Sequence, residues 1–236
     1  MENNPLKAGF WEKATGWLAA LLLAAGAYWG LVIAPADKYQ GEAQRIMYVH
    51  VPSAWVTYSA FLVIFFCSVQ YLRSRDTRYD TVAHAAAGVG IVFNALALVT
   101  GSIWGRFAWG TWWTWDARLT TTAVLFLVYA TYLILRSLVD DEGQRARFSA
   151  VLGIVGFADV PIIHMSVQWW RTLHQAPSVL RPDGARMSSD ILFPLLFMTL
   201  AFNVLLVHLL ISRRRSLEAE AMIVRKRQEK LHESGG

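Results

Sequence analysis

The chain of 236 residues is 55% hydrophobic and only 17% charged, with a mean hydropathy of +0.35. That composition is too apolar for a soluble globular domain of this length and indicates a membrane protein. The net charge of +5 does not predict nucleic-acid binding, because the basic residues lie in short loops and a terminal tail, and the single cysteine, Cys67, excludes a disulfide framework and any paired-thiol motif.

Six apolar stretches are long enough to cross the roughly 30 Å hydrocarbon core of a bilayer as helices, which takes about 20 residues each. We predict them at about residues 15–34, 52–72, 83–103, 119–139, 149–168 and 191–211. The apolar part of the first exceeds the roughly 7–15 residues of a signal-peptide core, so a retained helix is predicted. The predicted fold is all-α, with a six-helix transmembrane domain over residues 1–211 and a basic tail over residues 212–236.

The distribution of positive charge predicts the orientation of these helices. Of the 22 lysines and arginines, 15 lie at the two termini and in the loops that share their side, and 7 lie in the other loops. Because loops rich in Lys and Arg stay in the cytoplasm, both termini are predicted to be cytoplasmic. The loops near residues 35–51, 104–118 and 169–190 then face outward, which in a Gram-negative bacterium is the periplasm. The tail, which mixes basic and acidic residues, could continue the sixth helix.

Residues 104–120 read WGRFAWGTWWTWDARLT and carry five tryptophans, at positions 104, 109, 112, 113 and 115. Tryptophans near helix ends most often form an interfacial belt, which needs no fixed spacing. Here they accompany two glycines, a carboxylate and an arginine in a W-x-W-D-x-R pattern. Glycines let a ligand approach the backbone, and indoles offer large apolar faces with one N–H donor each. The pattern favours a binding platform.

Two histidines flank this stretch on the same predicted side: His50 before the second helix and His174 after the fifth. With paired thiolates excluded, a neutral imidazole is the expected ligand for iron or zinc. Two imidazoles from different loops can approach a haem iron from opposite faces while the macrocycle rests against indole rings. His164, near the outer end of the fifth helix, is a third candidate. Asp159, near the middle of the fifth helix, is either a functional carboxylate or a protonated one bonded to Asn94, Asn203 or a backbone carbonyl. His84 and His208, near the cytoplasmic ends of their helices, could form an inner haem site, but placement at the membrane interface is favoured.

The same arrangement predicts partners for the haem propionates, because guanidinium groups bind carboxylates in bidentate fashion. Arg118 is the first candidate, and the alternatives are Arg45, Arg171, Arg181 and Arg186. Asp116 would repel propionates, so it is expected to hold Arg118 or an indole N–H instead.

The stretch at 104–120 resembles the WWD signature of the haem-handling membrane proteins of cytochrome c biogenesis. With six spans, IMYVHVPSAW before the signature and VPIIHMSVQWWRTLHQ after it, residues from about 10 to 211 resemble the cytochrome c maturation protein C (CcmC) family. The resemblance implies that His50 and His174 are the axial ligands of non-covalently bound haem b. It also implies a haem-binding platform made of Trp104, Trp109, Trp112, Trp113, Trp115, Asp116 and Arg118.

The resemblance further implies a function at the periplasmic face of the inner membrane. Members of this family pass haem to the membrane-anchored chaperone CcmE, and they work beside the ABC-type subunits CcmA and CcmB and the small single-span protein CcmD. The chain is therefore expected to be a haem-binding and transfer module in contact with membrane lipids rather than an enzyme. The residues leave open whether it takes part in the covalent attachment of haem to the chaperone.

Two other classes of function remain open at this point. A membrane transporter subunit without haem would use helices loosened by glycine and proline, but no internal repeat is visible. A zinc-dependent membrane enzyme would use His50, His174 and a carboxylate, but the sequence contains no H-E-x-x-H motif.

Overall fold

A computed structural model describes residues 6–175, 178, 179, 184 and 186–234. Regular structure in this part of the chain is helical apart from one isolated bridge between Asp37 and Gly41. Six helical segments are long and apolar enough to span a membrane, and they cover residues 10–33, 42–74, 77–109, 117–138, 142–169 and 189–233. The predictions of an all-α fold and of six transmembrane helices are confirmed.

The helices run in chain order and are numbered α1 to α7. Their bounds are α1 Phe10–Tyr28, α2 Met47–Ser74, α3 Thr77–Trp109, α4 Ala117–Leu138, α5 Glu142–Phe157, α6 Asp159–Trp169 and α7 Ser189–Ser234. A π-helical turn over Trp29–Ile33 extends α1, and a 3-10 turn over Glu42–Ile46 precedes α2. The fifth span consists of two helices, α5 and α6, which meet at Ala158. The tail is helical and continues α7, as the sequence suggested.

Aspartates start three of these helices by accepting hydrogen bonds from backbone N–H groups that lack an intrahelical partner. Asp76 caps α3, Asp116 caps α4 and Asp141 caps α5, with distances of 2.9, 2.9 and 2.7 Å. At its other end, α3 stops at Gly110, whose φ of 77° lies in the left-handed region that glycine adopts without strain. Both ends of the short link between α3 and α4 are therefore fixed.

The centre of the bundle is the contact between α2 and α3, where small side chains let the helices approach closely. Ala86 and Ala87 on α3 are completely buried. A methyl group on Gly90 would lie 2.7 Å from the ring of Tyr129, so this glycine makes room for α4. The Tyr129 hydroxyl donates to the Thr57 carbonyl at 3.1 Å. Small residues at helix contacts are typical of membrane bundles.

Ion pairs lie at the end of the bundle where α3 starts and α4 ends. The Arg136 guanidinium donates to both carboxylate oxygens of Asp80 at 2.6 and 2.7 Å, and both side chains are at most 15% exposed. At the same end, Arg215 on α7 pairs with Glu12 on α1 at 2.7 Å. His208 places its Nδ1 3.0 Å from the Glu12 carbonyl oxygen, so it contributes to the packing of α7 on α1.

The structure differs from the sequence predictions at the opposite end. The tryptophan-rich stretch was predicted to be a loop over about residues 104–120, but α3 continues to Trp109 and α4 starts at Ala117. The true loop has seven residues. His50 was predicted in a loop before a helix starting at Pro52, but it lies in the first turn of α2. The 3-10 turn runs directly into α2 at Met47, so the helix starts five residues before Pro52.

We predict that Arg136→Gln destabilises the bundle by about 3–5 kcal/mol, because it leaves the Asp80 carboxylate buried without its partner. The unfolding temperature of the detergent-solubilised protein measures this effect. Arg78→Gln is the matched control, because the Arg78 side chain is 79% exposed and its pairing with Asp76 is screened by solvent. Equal unfolding temperatures for the two variants would contradict the prediction.

Candidate functional site

A cavity of about 530 Å³ lies at the end of the bundle where α2 begins, α3 ends, α4 begins and α6 ends. Its volume falls within the roughly 300–1,000 Å³ of small-molecule sites. The fold brings to this one cavity both outer histidines, three of the five clustered tryptophans and the arginine of the signature: His50, His174, Trp104, Trp109, Trp113 and Arg118. Residues from α5 and α7 close it on the inner side.

His50 is held in a defined orientation on α2. Its Nδ1 lies 3.0 Å from the Ala97 carbonyl oxygen and 3.2 Å from the Thr100 hydroxyl on α3. A carbonyl oxygen can only accept, so Nδ1 carries the ring proton and donates it. In a neutral imidazole the lone pair is then on Nε2, the nitrogen left for a metal. Gly101 makes this position possible, because a methyl group there would lie 2.8 Å from Cε1 of His50.

His174 belongs to the segment after α6, and two side chains fix its backbone. The His174 N–H donates to the Thr172 hydroxyl at 3.0 Å, and that hydroxyl donates to Oδ2 of Asp116 at 2.6 Å. The other oxygen of Asp116 caps α4. Asp116 was expected to hold Arg118 or an indole N–H, but it ties the start of α4 to the His174 segment instead, because the packing of α6 against α4 brings Thr172 to its second oxygen.

The ring of His174 sits between a cation and an indole. Nη1 of Arg118 is 3.4 Å from its Nδ1, and the ring centroid of Trp109 is 6.0 Å away in an edge-to-face arrangement. Burial, and then the charge of Arg118, lower the pKa of His174 to about 4. The imidazole is therefore neutral at physiological pH, which is the form that binds a metal.

The tryptophans of the signature fall into two groups. Trp104 donates its N–H to Oε1 of Gln40 at 2.6 Å and lies edge-on to His50 at 5.7 Å. Trp113 is partly buried, and its indole N–H has no hydrogen-bond partner among the described residues. Trp112 and Trp115 are 58% and 82% exposed and do not line the cavity. Three of the five indoles are therefore placed to contact a ligand in the cavity.

Among the described residues, Arg118 is the arginine that lines the cavity. Its Nη2 donates to the His164 carbonyl oxygen at 3.2 Å, and its Nε is buried without a partner among the described residues. Arg45, by contrast, donates to the Gly30 carbonyl at 2.9 Å and pairs with Glu42. Of the other predicted candidates, Arg171 is exposed and Arg181 lies outside the described residues.

Several residues of the site carry no recognisable signal in the sequence. Thr172, Gly101 and Gln40 act through contacts with residues 51 or more positions away. Asn94 is completely buried on the cavity wall, and neither polar atom of its side-chain amide has a partner among the described residues.

His164, the third candidate ligand, also lines the cavity, and its backbone carbonyl accepts a hydrogen bond from Arg118. No group of three His, Cys, Asp or Glu side chains arranged for a metal occurs in the described part of the chain.

The fold and the cavity define a six-helix membrane protein with two imidazoles facing one apolar, indole-lined site. The family model described as heme exporter protein C (CcmC) matches residues 6–232. The chain belongs to the heme exporter protein C family.

Curated relatives agree with this assignment. The chain is 45% identical to heme exporter protein C of Bradyrhizobium diazoefficiens over 203 residues, which cover 85% of this chain and 77% of the relative. It is 39% identical to the protein of that name from Haemophilus influenzae, with 84% and 81% covered. It is also 39% identical to that from Escherichia coli, with 85% and 82% covered.

We predict that Gly101→Ala weakens haem binding roughly 10- to 100-fold, because the added methyl group displaces the His50 ring from the Ala97 carbonyl. Titration of the purified protein with haem, followed by absorption, measures the affinity. Gly88→Ala is the control on the same helix, since a methyl group there meets nothing within 4 Å. A haem affinity unchanged in Gly101→Ala would show that the position of His50 does not matter.

Proposed function

We propose that this protein binds haem b non-covalently in the cavity, with His50 and His174 as the two axial ligands of the iron. The observation that carries the proposal is that both imidazoles line one cavity although they are 124 positions apart in the sequence. His50 already has its Nδ1 proton engaged and its Nε2 available. Haem is the cargo of such a site, and the protein is a binding and transfer module.

The buried donors of the cavity fit the propionates. Nε1 of Trp113 and Nε of Arg118 have no hydrogen-bond partner among the described residues, and a buried donor without a partner is costly. A carboxylate supplies acceptors for both and a charge for the guanidinium. Haem bound with its propionates towards the start of α4 satisfies these groups. Its apolar edge then faces the inner part of the cavity, which Leu125, Phe157 and Leu195 line.

The indoles of the cavity support the macrocycle from the sides of the two ligands. Trp104 lies edge-on to His50 and Trp109 lies edge-on to His174. Trp113 meets the exposed Trp115 edge-to-face at 5.6 Å. Aromatic contacts of this kind are each worth about 0.5–1.5 kcal/mol beyond the burial of area. The two exposed indoles, Trp112 and Trp115, are suited to the headgroup region of the membrane.

The same proposal includes the topology and the partners. With six crossings, the two ends of the described chain would lie on one side of the membrane, and the excess of Lys and Arg there favours the cytoplasm. The cavity then opens at the periplasmic face of the inner membrane. From there haem passes to the chaperone CcmE, and the ABC-type subunits CcmA and CcmB and the small protein CcmD complete the assembly. Membership of the heme exporter protein C family supports these partners.

The test of the proposal is the absorption spectrum of the purified protein with haem. We expect the low-spin spectrum of a bis-histidine complex, which His50→Ala and His174→Ala each abolish. His232→Ala is the control, because this histidine is exposed in the tail. A low-spin spectrum that survives both cavity substitutions would refute the assignment of the ligands.

The cavity also predicts different effects for two neighbouring tryptophans. Trp113→Ala removes a lining indole and its unpartnered N–H, so the haem affinity falls roughly tenfold. Trp115→Ala changes the affinity far less, because that ring is 82% exposed outside the cavity. Haem titrations of the two variants provide the comparison. Equal losses would mean that the exposed indole also supports the macrocycle.

A further inference from the structure

The two histidines of the cavity differ in what their Nδ1 atoms contact. For His50 the short contact is to the Ala97 carbonyl at 3.0 Å, which fixes the proton on Nδ1 and leaves Nε2 with its lone pair. The Thr100 hydroxyl, at 3.2 Å, can accept from the same proton. This imidazole is therefore already in the tautomer that binds iron through Nε2.

His174 has two contacts that require opposite tautomers. The Gln175 carbonyl oxygen is 3.2 Å from Nδ1 and can only accept, so it requires a proton on Nδ1. Nη1 of Arg118 is 3.4 Å from the same nitrogen and can only donate, so it requires a lone pair there and places the proton on Nε2. A neutral imidazole cannot satisfy both. While Arg118 occupies Nδ1, neither ring nitrogen offers iron a free lone pair.

Arg118 has a donor left for another partner. Its Nη2 donates to the His164 carbonyl, while its Nε is buried in the cavity wall and unpartnered among the described residues. A carboxylate entering the cavity would form a charge-assisted, bidentate bond with this guanidinium. That bond is stronger than a 3.4 Å contact with a neutral ring. As the guanidinium turns to the carboxylate, it would leave the long contact with Nδ1. The imidazole would then lose its Nε2 proton to solvent and take one up on Nδ1, which donates to the Gln175 carbonyl while Nε2 keeps a lone pair for the iron.

We propose that Arg118 releases His174 to the iron only when the guanidinium engages a carboxylate of the bound macrocycle. The inference rests on the proposed function and adds an order to it: His50 is the resident ligand, and His174 becomes the second ligand once a propionate is in place. Arg118 thereby makes the site specific for an iron porphyrin with free carboxylates. An iron porphyrin without free carboxylates is bound by His50 but does not gain His174 as its second axial ligand.

The experiment compares ferric haem with its dimethyl ester, which keeps the iron and the ring but lacks both carboxylates. Absorption and electron paramagnetic resonance spectra of the purified full-length protein report the coordination number. With haem, the wild-type protein gives the six-coordinate low-spin complex. With the ester it gives mainly a five-coordinate high-spin complex, which His50→Ala abolishes and His174→Ala leaves unchanged.

The decisive variant is Arg118→Gln with the ester. Removing the guanidinium frees Nδ1 of His174, so the ester complex becomes six-coordinate and low-spin in this variant and then depends on His174. Arg106→Gln is the control: Arg106 is exposed, bonds to the Gly110 carbonyl and does not line the cavity, so it behaves as the wild type does.

Two outcomes would overturn the inference and leave the haem site intact. One is a wild-type ester complex that is as fully low-spin as the haem complex. The other is an Arg118→Gln variant that binds haem more weakly and still gives a high-spin ester complex, which would make Arg118 a propionate contact only. Failure of wild-type protein to form a low-spin complex with haem itself would instead refute the proposed function.

Discussion

The close contact between α2 and α3 is the interaction on which the cavity depends. Because α3 presents small residues to its neighbour, the imidazole of His50 reaches a main-chain carbonyl of the adjacent helix. That carbonyl, on Ala97, already belongs to the hydrogen-bond ladder of a long helix, so its position is set by the bundle as a whole. The packed helix pair thus fixes the position of the His50 imidazole, which is one of the two ligands in the proposed haem site.

The other side of the cavity is held less rigidly. His174 follows α6, a helix of 11 residues that is separated from α5 at Ala158. Side-chain hydrogen bonds from Thr172 and Asp116 restrain this segment, where a continuous helix restrains His50. If the cavity accepts and releases haem as proposed, this asymmetry matters, because His174 on the less constrained side can change partners without disturbing the packed helices.

The sequence was sufficient for the coarse architecture. Apolar length predicts transmembrane helices because the bilayer requires every backbone polar group to be satisfied within the helix. The meeting of His50 and His174 at one cavity was also predictable, since the predicted topology puts both on the same side. The sequence pattern could not show which of the five tryptophans line the cavity. Trp113 lines the cavity and Trp115 does not, and this depends on how a seven-residue link is fixed at Gly110 and Asp116.

The same limit explains why the partner of Asp116 was predicted wrongly. The hydrogen-bond donors closest to Asp116 in the sequence are Arg118 and the indoles. A prediction from sequence spacing therefore chooses one of them as its partner. The donor it uses, Thr172, lies 56 positions away and comes close only because α4 and α6 pack together. Contacts between distant segments are set by packing, which a single sequence does not display. The positions of Gly101 and Gln40 were hidden for the same reason.

The length of α7 has a mechanical consequence. Its 46 residues make a helix about 69 Å long, more than twice the roughly 30 Å thickness of the hydrocarbon core. Leu195 near its start lines the cavity, so the excess length projects from the opposite face, where Arg215 is bonded to Glu12. The ion pair therefore ties the projecting part of α7 to α1 near the point where α7 leaves the bundle, so a movement of the projecting part would be transmitted to α1.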